Sequence, residues 1–119
     1  MALRKLLQRL TTSDADLDRE RLRQFCSDVP GVTTIGDAKP RQEVTVAGEI
    51  TSLRMVPRAG TPSLEATVND GTGSLVVVWT GRRNIPGVAP GKRLVVTGRG
   101  SPQGAAARLT LFNPRYELL

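Results

Sequence analysis

The chain has 119 residues, with 17 Lys and Arg against 11 Asp and Glu, a net charge of +6, 12 Gly, 8 Pro and only 3% aromatic residues. This length fits one domain with a modest core, and Gly and Pro at regular intervals favour short strands and turns over a helical bundle. With no His and one Cys, a Ser-His-Asp triad, a zinc site and a disulfide framework are excluded, and neither a metal nor another cofactor is expected.

Leu3, Leu6, Leu7 and Leu10 recur at helical spacing, with Arg4, Lys5 and Arg9 mostly on the opposite side. They predict a short basic amphipathic helix that docks on its own domain, on a second copy of the chain or on a protein partner, the alternative being a membrane-surface or nucleic-acid-binding helix. Two basic turns are too little to hold a membrane, and no apolar run is long enough to span one. The N-terminus shows no signal-peptide h-region, so a cytoplasmic location is expected. A second helix is predicted after an N-cap at Thr12 or Ser13, with Asp14, Asp16 and Asp18 near the positive end of its dipole. Arg19, Arg21 and Arg23 follow Asp16, Asp18 and Glu20 at i, i+3. Leu22, Phe25, Cys26 and Val29 form its apolar stripe, where Cys26 reads as a small core residue and not as a reactive thiol. Pro30-Gly31 ends it.

The sequence thus divides into helices over 1–30, a turn-rich linker over 31–42 and a β-domain over 43–119. In the last, strand one is expected from Glu43 to Met55, with Val44, Val46, Gly48 and Ile50 inward and a bulge or bend at Gly48. Val56 to Pro62, with two Pro and a Gly, reads as an exposed loop. Leu64–Val68 and Leu75–Trp79 form a hairpin around Asn69-Asp70-Gly71-Thr72-Gly73. Leu64, Ala66 and Val68 share one face of its first strand and Glu65, Thr67 and Asn69 the other. Its second strand is apolar on both faces and is expected at the centre of the sheet, with Trp79 in the core by its parity with Leu75 and Val77. Strand four covers Arg93–Gly98 and strand five Ala106–Phe112, stopped by Asn113-Pro114. Five strands of this spacing argue for a small closed barrel.

Charge is uneven. Residues 1–40 balance to +1 and residues 41–119 to +5, so the cationic excess belongs to the β-domain, and a polyanion is its natural partner. The five carboxylates after residue 40 are scattered singly, without the paired constellation that acid–base catalysis requires, and the chain reads as a non-enzyme.

Val46-Ala47-Gly48-Glu49-Ile50, the NDGTG turn at 69–73, Pro90-Gly91 before Leu94-Val95-Val96-Thr97-Gly98, and Asn113-Pro114-Arg115-Tyr116-Glu117 together resemble OB-fold nucleic-acid-binding domains over about residues 40–119. Within that superfamily the segment is similar to the wedge domain of the bacterial branch-migration helicase, to anticodon-binding domains of some tRNA synthetases, and to small free-standing actinobacterial OB-fold proteins. The resemblance implies a mainly β fold, a five-stranded Greek-key OB-fold barrel preceded by a helical arm. It also implies binding across strands two and three, flanked by the loops between strands one and two and between strands four and five. Carried onto this chain, those regions hold Arg54, Arg58, Thr67, Asn69, Ser101, Gln103 and Arg108, and Arg82 and Arg83 extend a basic track beyond strand three. The expected function is sequence-independent binding of single-stranded or branched DNA through phosphates and the barrel face. The competing expectations are an RNA-binding module, on tRNA or ribosomal RNA, and a protein-interaction domain that binds no nucleic acid. With Phe25, Trp79, Phe112 and Tyr116 as the only aromatics, stacking-driven binding is not expected.

Overall fold

The computed structural model describes residues 2–119, with side chains from Asp14 onward. Helix α1 (Ala2–Ser27) is followed by a 3-10 turn at Ile35–Asp37 and by strands β1 (Glu43–Arg58), β2 (Thr61–Asn69), β3 (Ser74–Thr80), β4 (Arg93–Gln103), β5 (Arg108–Phe112) and β6 (Arg115–Leu118). Where two helices were expected, one runs through Thr12 and Ser13. No Gly or Pro lies between Ala2 and Ser27, and once a helix is nucleated a Thr-Ser pair costs too little propensity to stop it. The side chains of Leu3, Leu6, Leu7 and Leu10 lie outside the described residues. Of the three i, i+3 charge pairs, Glu20–Arg23 is the one formed among the described residues.

The sheet order is β1-β2-β3-β5-β4, and a further β1–β4 pairing closes the ring. All contacts are antiparallel except β3–β5. Closure depends on β1, whose first half pairs with β4 (Glu43↔Arg99 to Glu49↔Arg93) and whose second half pairs with β2 (Glu49↔Asn69 to Arg58↔Thr61). The strand turns the corner at a bulge, where Thr51 is left over between Ile50↔Val68 and Ser52↔Thr67. Gly48 lies just before it and has a steric role: a Cβ there would stand 2.4 Å from Val68 Cγ1 and 3.1 Å from the Asn69 carbonyl oxygen. The glycine expected to mark a bend therefore permits the close approach of β2 at the corner, and the extra residue lies three positions on.

Two segments differ from the expectation for physical reasons. Val56 to Pro62 is not a loop. It is the end of a ribbon closed by a two-residue turn, with Ala59 at φ 51° and Gly60 at φ 79° and pairs Arg58↔Thr61, Pro57↔Pro62 and Val56↔Ser63. Left-handed conformations at both turn residues match the strand twist. The pair flanking such a turn is hydrogen-bonded, so the next, Pro57↔Pro62, falls in a site where no N–H is required. Asn113-Pro114 likewise interrupts a strand without ending it. β5 and β6 both run along β4, and between Gly100↔Leu111 and Thr97↔Arg115 the register gains one residue. Asn113 takes φ 50° there. Its amide N–H donates to Val78 O at 2.7 Å, and its Oδ1 accepts from the Thr80 amide at 3.0 Å.

The core lies inside the ring. Val46, Ile50, Ala66, Val68, Leu75, Val77, Leu94, Val96 and Leu111 are buried with Leu64 and Trp79, as period-two patterning requires. Ile35 from the 3-10 turn, and Ile85 and Val88 from the β3–β4 connection, join the same cluster. The β3–β4 connection carries no helix.

Gly48→Ala is expected to lower the free energy of unfolding by about 2 kcal/mol through overpacking against Val68, read as a reduced urea midpoint at unchanged m-value.

Candidate functional site

On the outer face of the barrel, directly paired residues form rows. Arg54 on β1 stands opposite Glu65 on β2, Glu65 opposite Val78 on β3, and Val78 opposite Phe112 on β5. One row on, Thr67 stands opposite Val76, and Val76 opposite Thr110. From these rows Glu65, Val76 and Thr110 floor a cleft of about 230 Å³, walled on one side by Arg54 and Arg58 and on the other by Gln103, Gly104 and Arg108. The two-residue turn at Ala59-Gly60 and the β4–β5 turn therefore determine which side chains meet across it.

At its centre is a carboxylate that sequence reasoning did not place in the site. Glu65 is 8% exposed. Its Oε1 accepts from Arg54 Nε at 3.1 Å and Nη2 at 2.8 Å, and its Oε2 accepts from Arg58 Nη2 at 3.2 Å. Burial raises the carboxyl pKa, but the hydrogen bonds and charges of Arg54 and Arg58 outweigh it and hold Glu65 below the usual carboxylate range. Arg58 also lies over the Phe112 ring, 5.5 Å from its centroid. The signal for Glu65 was present in the chain. Counting outward from a two-residue turn at Ala59-Gly60 pairs Arg54 with Glu65 directly, but reading 56–62 as a loop removed that register.

The other expected residues do not all reach the cleft. Arg108 does, and forms no ion pair among the described residues. Gln103 lines it and donates to Ser101 Oγ at 3.1 Å. Thr67 borders the floor, half-buried on β2. Asn69 is elsewhere: its Oδ1 accepts from the Gly71 amide at 2.7 Å, and it lines a second cleft with Arg19, Leu22 and Arg93 between α1 and the barrel. Arg82 and Arg83 are exposed just beyond Gly81, whose N–H donates to Pro62 O at 2.7 Å, so they stand near the hairpin tip and outside the cleft lining.

No aromatic side chain lines the cleft itself. Trp79 is 5% exposed, as its parity predicted, and Tyr116 meets it edge-on with centroids 5.5 Å apart. Phe25 lies under the Arg93 guanidinium at 4.3 Å. Cys26 is buried between α1 and the barrel. Burial and the nearby Asp70 push its thiol up to about 11, as befits an inert core residue.

The ion-pair triad makes a pH-dependent prediction. Arg54→Met/Arg58→Met leaves an uncompensated buried carboxylate and is expected to cost roughly 2 kcal/mol at pH 7, most of it recovered by adding Glu65→Gln. In the native chain the depressed Glu65 pKa contributes stability that is present at neutral pH and is lost as pH falls through the folded value. In the double variant burial acts alone and raises that pKa, so protonation relieves the penalty. Urea unfolding from pH 7 to pH 4 should therefore show the gap between the two proteins narrowing.

The sequence model of the OB-fold nucleic acid binding domain family matches residues 44–119. Among solved structures, that of RecG bound to a three-way DNA junction is similar at a TM-score of 0.60 and 21% identity, over 74% of this chain. This chain spans 12% of the RecG chain. The solution structure of the OB domain of Ta0387 from Thermoplasma acidophilum is similar at a TM-score of 0.56 and 16% identity, over 74% of this chain and 86% of that one. No curated protein matches. At these identities the structural likeness shows the fold, and with a matching family model over most of the barrel, the chain belongs to the OB-fold nucleic acid binding domain family.

Proposed function

We propose that the chain is a non-catalytic module that holds single-stranded or branched DNA without reading its sequence, through backbone phosphates at the cleft between the β1–β2 hairpin and the β4–β5 turn. The observation that carries this reading is the convergence of Arg54, Arg58 and Arg108 on one concave surface of the barrel. Guanidinium groups give bidentate, sequence-blind contacts to phosphate. The remaining lining offers the Gln103 amide, suited to sugar and phosphate oxygens, with half-buried Thr67 on the same face of β2, and no array of aromatics for stacking. Arg82 and Arg83 extend the basic track past the hairpin tip. DNA is favoured by the likeness to a structure of RecG bound to a DNA junction. RNA is the second reading, because the matching family model takes its name from the tRNA anticodon.

Fluorescence anisotropy with matched single-stranded, duplex and forked DNA and single-stranded RNA, from low to near-physiological salt, tests both. Log affinity is expected to fall linearly with log salt, forked or single-stranded DNA to bind tighter than matched RNA, and Arg108→Ala to weaken binding to all ligands and reduce the salt slope by about 1. Absence of binding to every ligand at low salt would sink the nucleic-acid reading and leave a protein-interaction module.

A further inference from the structure

The Glu65 carboxylate sits in the middle of a surface whose proposed ligand is itself an anion. That placement allows two roles, and they predict opposite signs. As a competitor, Glu65 would neutralise Arg54 and Arg58, and its removal would strengthen polyanion binding. As a support, it would hold the two guanidinium groups in place, and its removal would weaken binding although the net charge rises.

The geometry favours the support. Glu65 is on the floor at 8% exposure, whereas the Arg54 side chain is 72% exposed and that of Arg58 38% exposed, so a ligand entering the cleft meets guanidinium groups before the carboxylate. Arg54 spends Nε and Nη2 on Glu65 Oε1, and Arg58 spends Nη2 on Oε2. Nη1 of each remains for a ligand. Two cations on one anion leave the triad positive, and Arg108 adds a further charge from the opposite wall. A free Arg carries large rotamer entropy, lost when it grips a phosphate, and a side chain already fixed avoids that loss. Arg58 is fixed twice, by Glu65 and by the Phe112 ring.

We propose that Glu65 is a positioning residue, whose buried carboxylate sets Arg54 and Arg58 side by side as a preformed receptor for the phosphodiester backbone. The inference rests on the nucleic-acid reading above, and its test separates the two. Glu65→Gln and Arg54→Lys are compared with the native chain by anisotropy on single-stranded and forked DNA across salt, with circular dichroism to verify folding and the Arg Nε–Hε resonances of both residues as the readout of order. Expected for Glu65→Gln is binding about 3- to 10-fold weaker, a shallower salt slope despite the added positive charge, and averaging of the Arg54 and Arg58 resonances. Arg54→Lys preserves every charge at an exposed position, and because an ammonium lacks the rigid planar fork that holds a carboxylate on one edge and presents N–H groups to a phosphate on another, it is expected to show a similar loss. Unchanged or tighter binding by folded Glu65→Gln, or by Arg54→Lys if the first variant does not fold, overturns the positioning role while leaving the nucleic-acid reading intact. Failure of the native chain to bind any ligand removes both.

Discussion

Everything on the cleft-bearing face depends on one strand serving two partners. This sheet closes because β1 leaves one neighbour for another, which it does between Glu49 and Ser52. The corner needs both devices found there: Gly48, so that β2 can approach within contact of the turning backbone, and Thr51 as the extra residue that bends the strand. The bulge also sets the parity of the second half of β1. Beyond it Arg54 and Arg58 fall on the outer face, opposite Glu65 and Thr61. Without that extra residue the arginines would exchange faces with Leu53 and Met55, because strand side chains alternate with period two. The bend that encloses the core and the placement of the cleft cations thus share one cause.

A second carboxylate has a comparable part at the other end of β2. Asp70 is 3% exposed. Its Oδ1 accepts from the Thr72 amide, the Thr72 hydroxyl and the Gly73 amide, and its Oδ2 accepts from the Ile35 amide at 2.8 Å. It therefore closes its own turn and pins the segment that carries Ile35 into the core. Gly71, at the tip of the same turn, presses against α1, where a Cβ would stand 2.8 Å from the Arg19 carbonyl oxygen. Through this turn the second half of the helix, with Cys26 beneath it, is held against the barrel wall at Ala47. One buried acid satisfied by neutral donors shapes the scaffold, and the other, satisfied by two cations, shapes the surface.

The fold was legible where local and global signals agree. The alternation of Val44, Val46 and Ile50, the Asp-Gly turn, and the parity of Trp79 each reflect a period of two combined with a turn that demands positive φ. Legibility failed where a residue has one meaning locally and another in register. Pro57 and Pro62 read as loop formers in isolation, yet facing one another in a non-hydrogen-bonded site they cost the ribbon nothing. Pro114 read as a strand terminator, whereas Asn113 before it adopts the left-handed conformation and lets the chain continue along β4. The site inherited the first of these misreadings. Arg54, Arg58 and Arg108 were named because the family resemblance points to those loops, but Glu65, the residue that joins two of them, is visible only through the ribbon's register.

The aromatic side chains bear on how such a face selects its ligand. A single-strand binder that relies on stacking leaves ring faces open for bases. Here Trp79 is in the core, Tyr116 packs edge-on against it, Phe25 lies beneath Arg93 and Phe112 beneath Arg58. Each ring thus has a neighbour and two of the four lie under an arginine, although Phe25, Phe112 and Tyr116 keep 38%, 39% and 41% exposure. On the proposed reading the rings order cations instead of receiving bases. Since phosphate contacts carry no sequence information, the same proposal has the face distinguish nucleic acids by the spacing and path of their backbones, which differ between a single strand, a duplex and a fork.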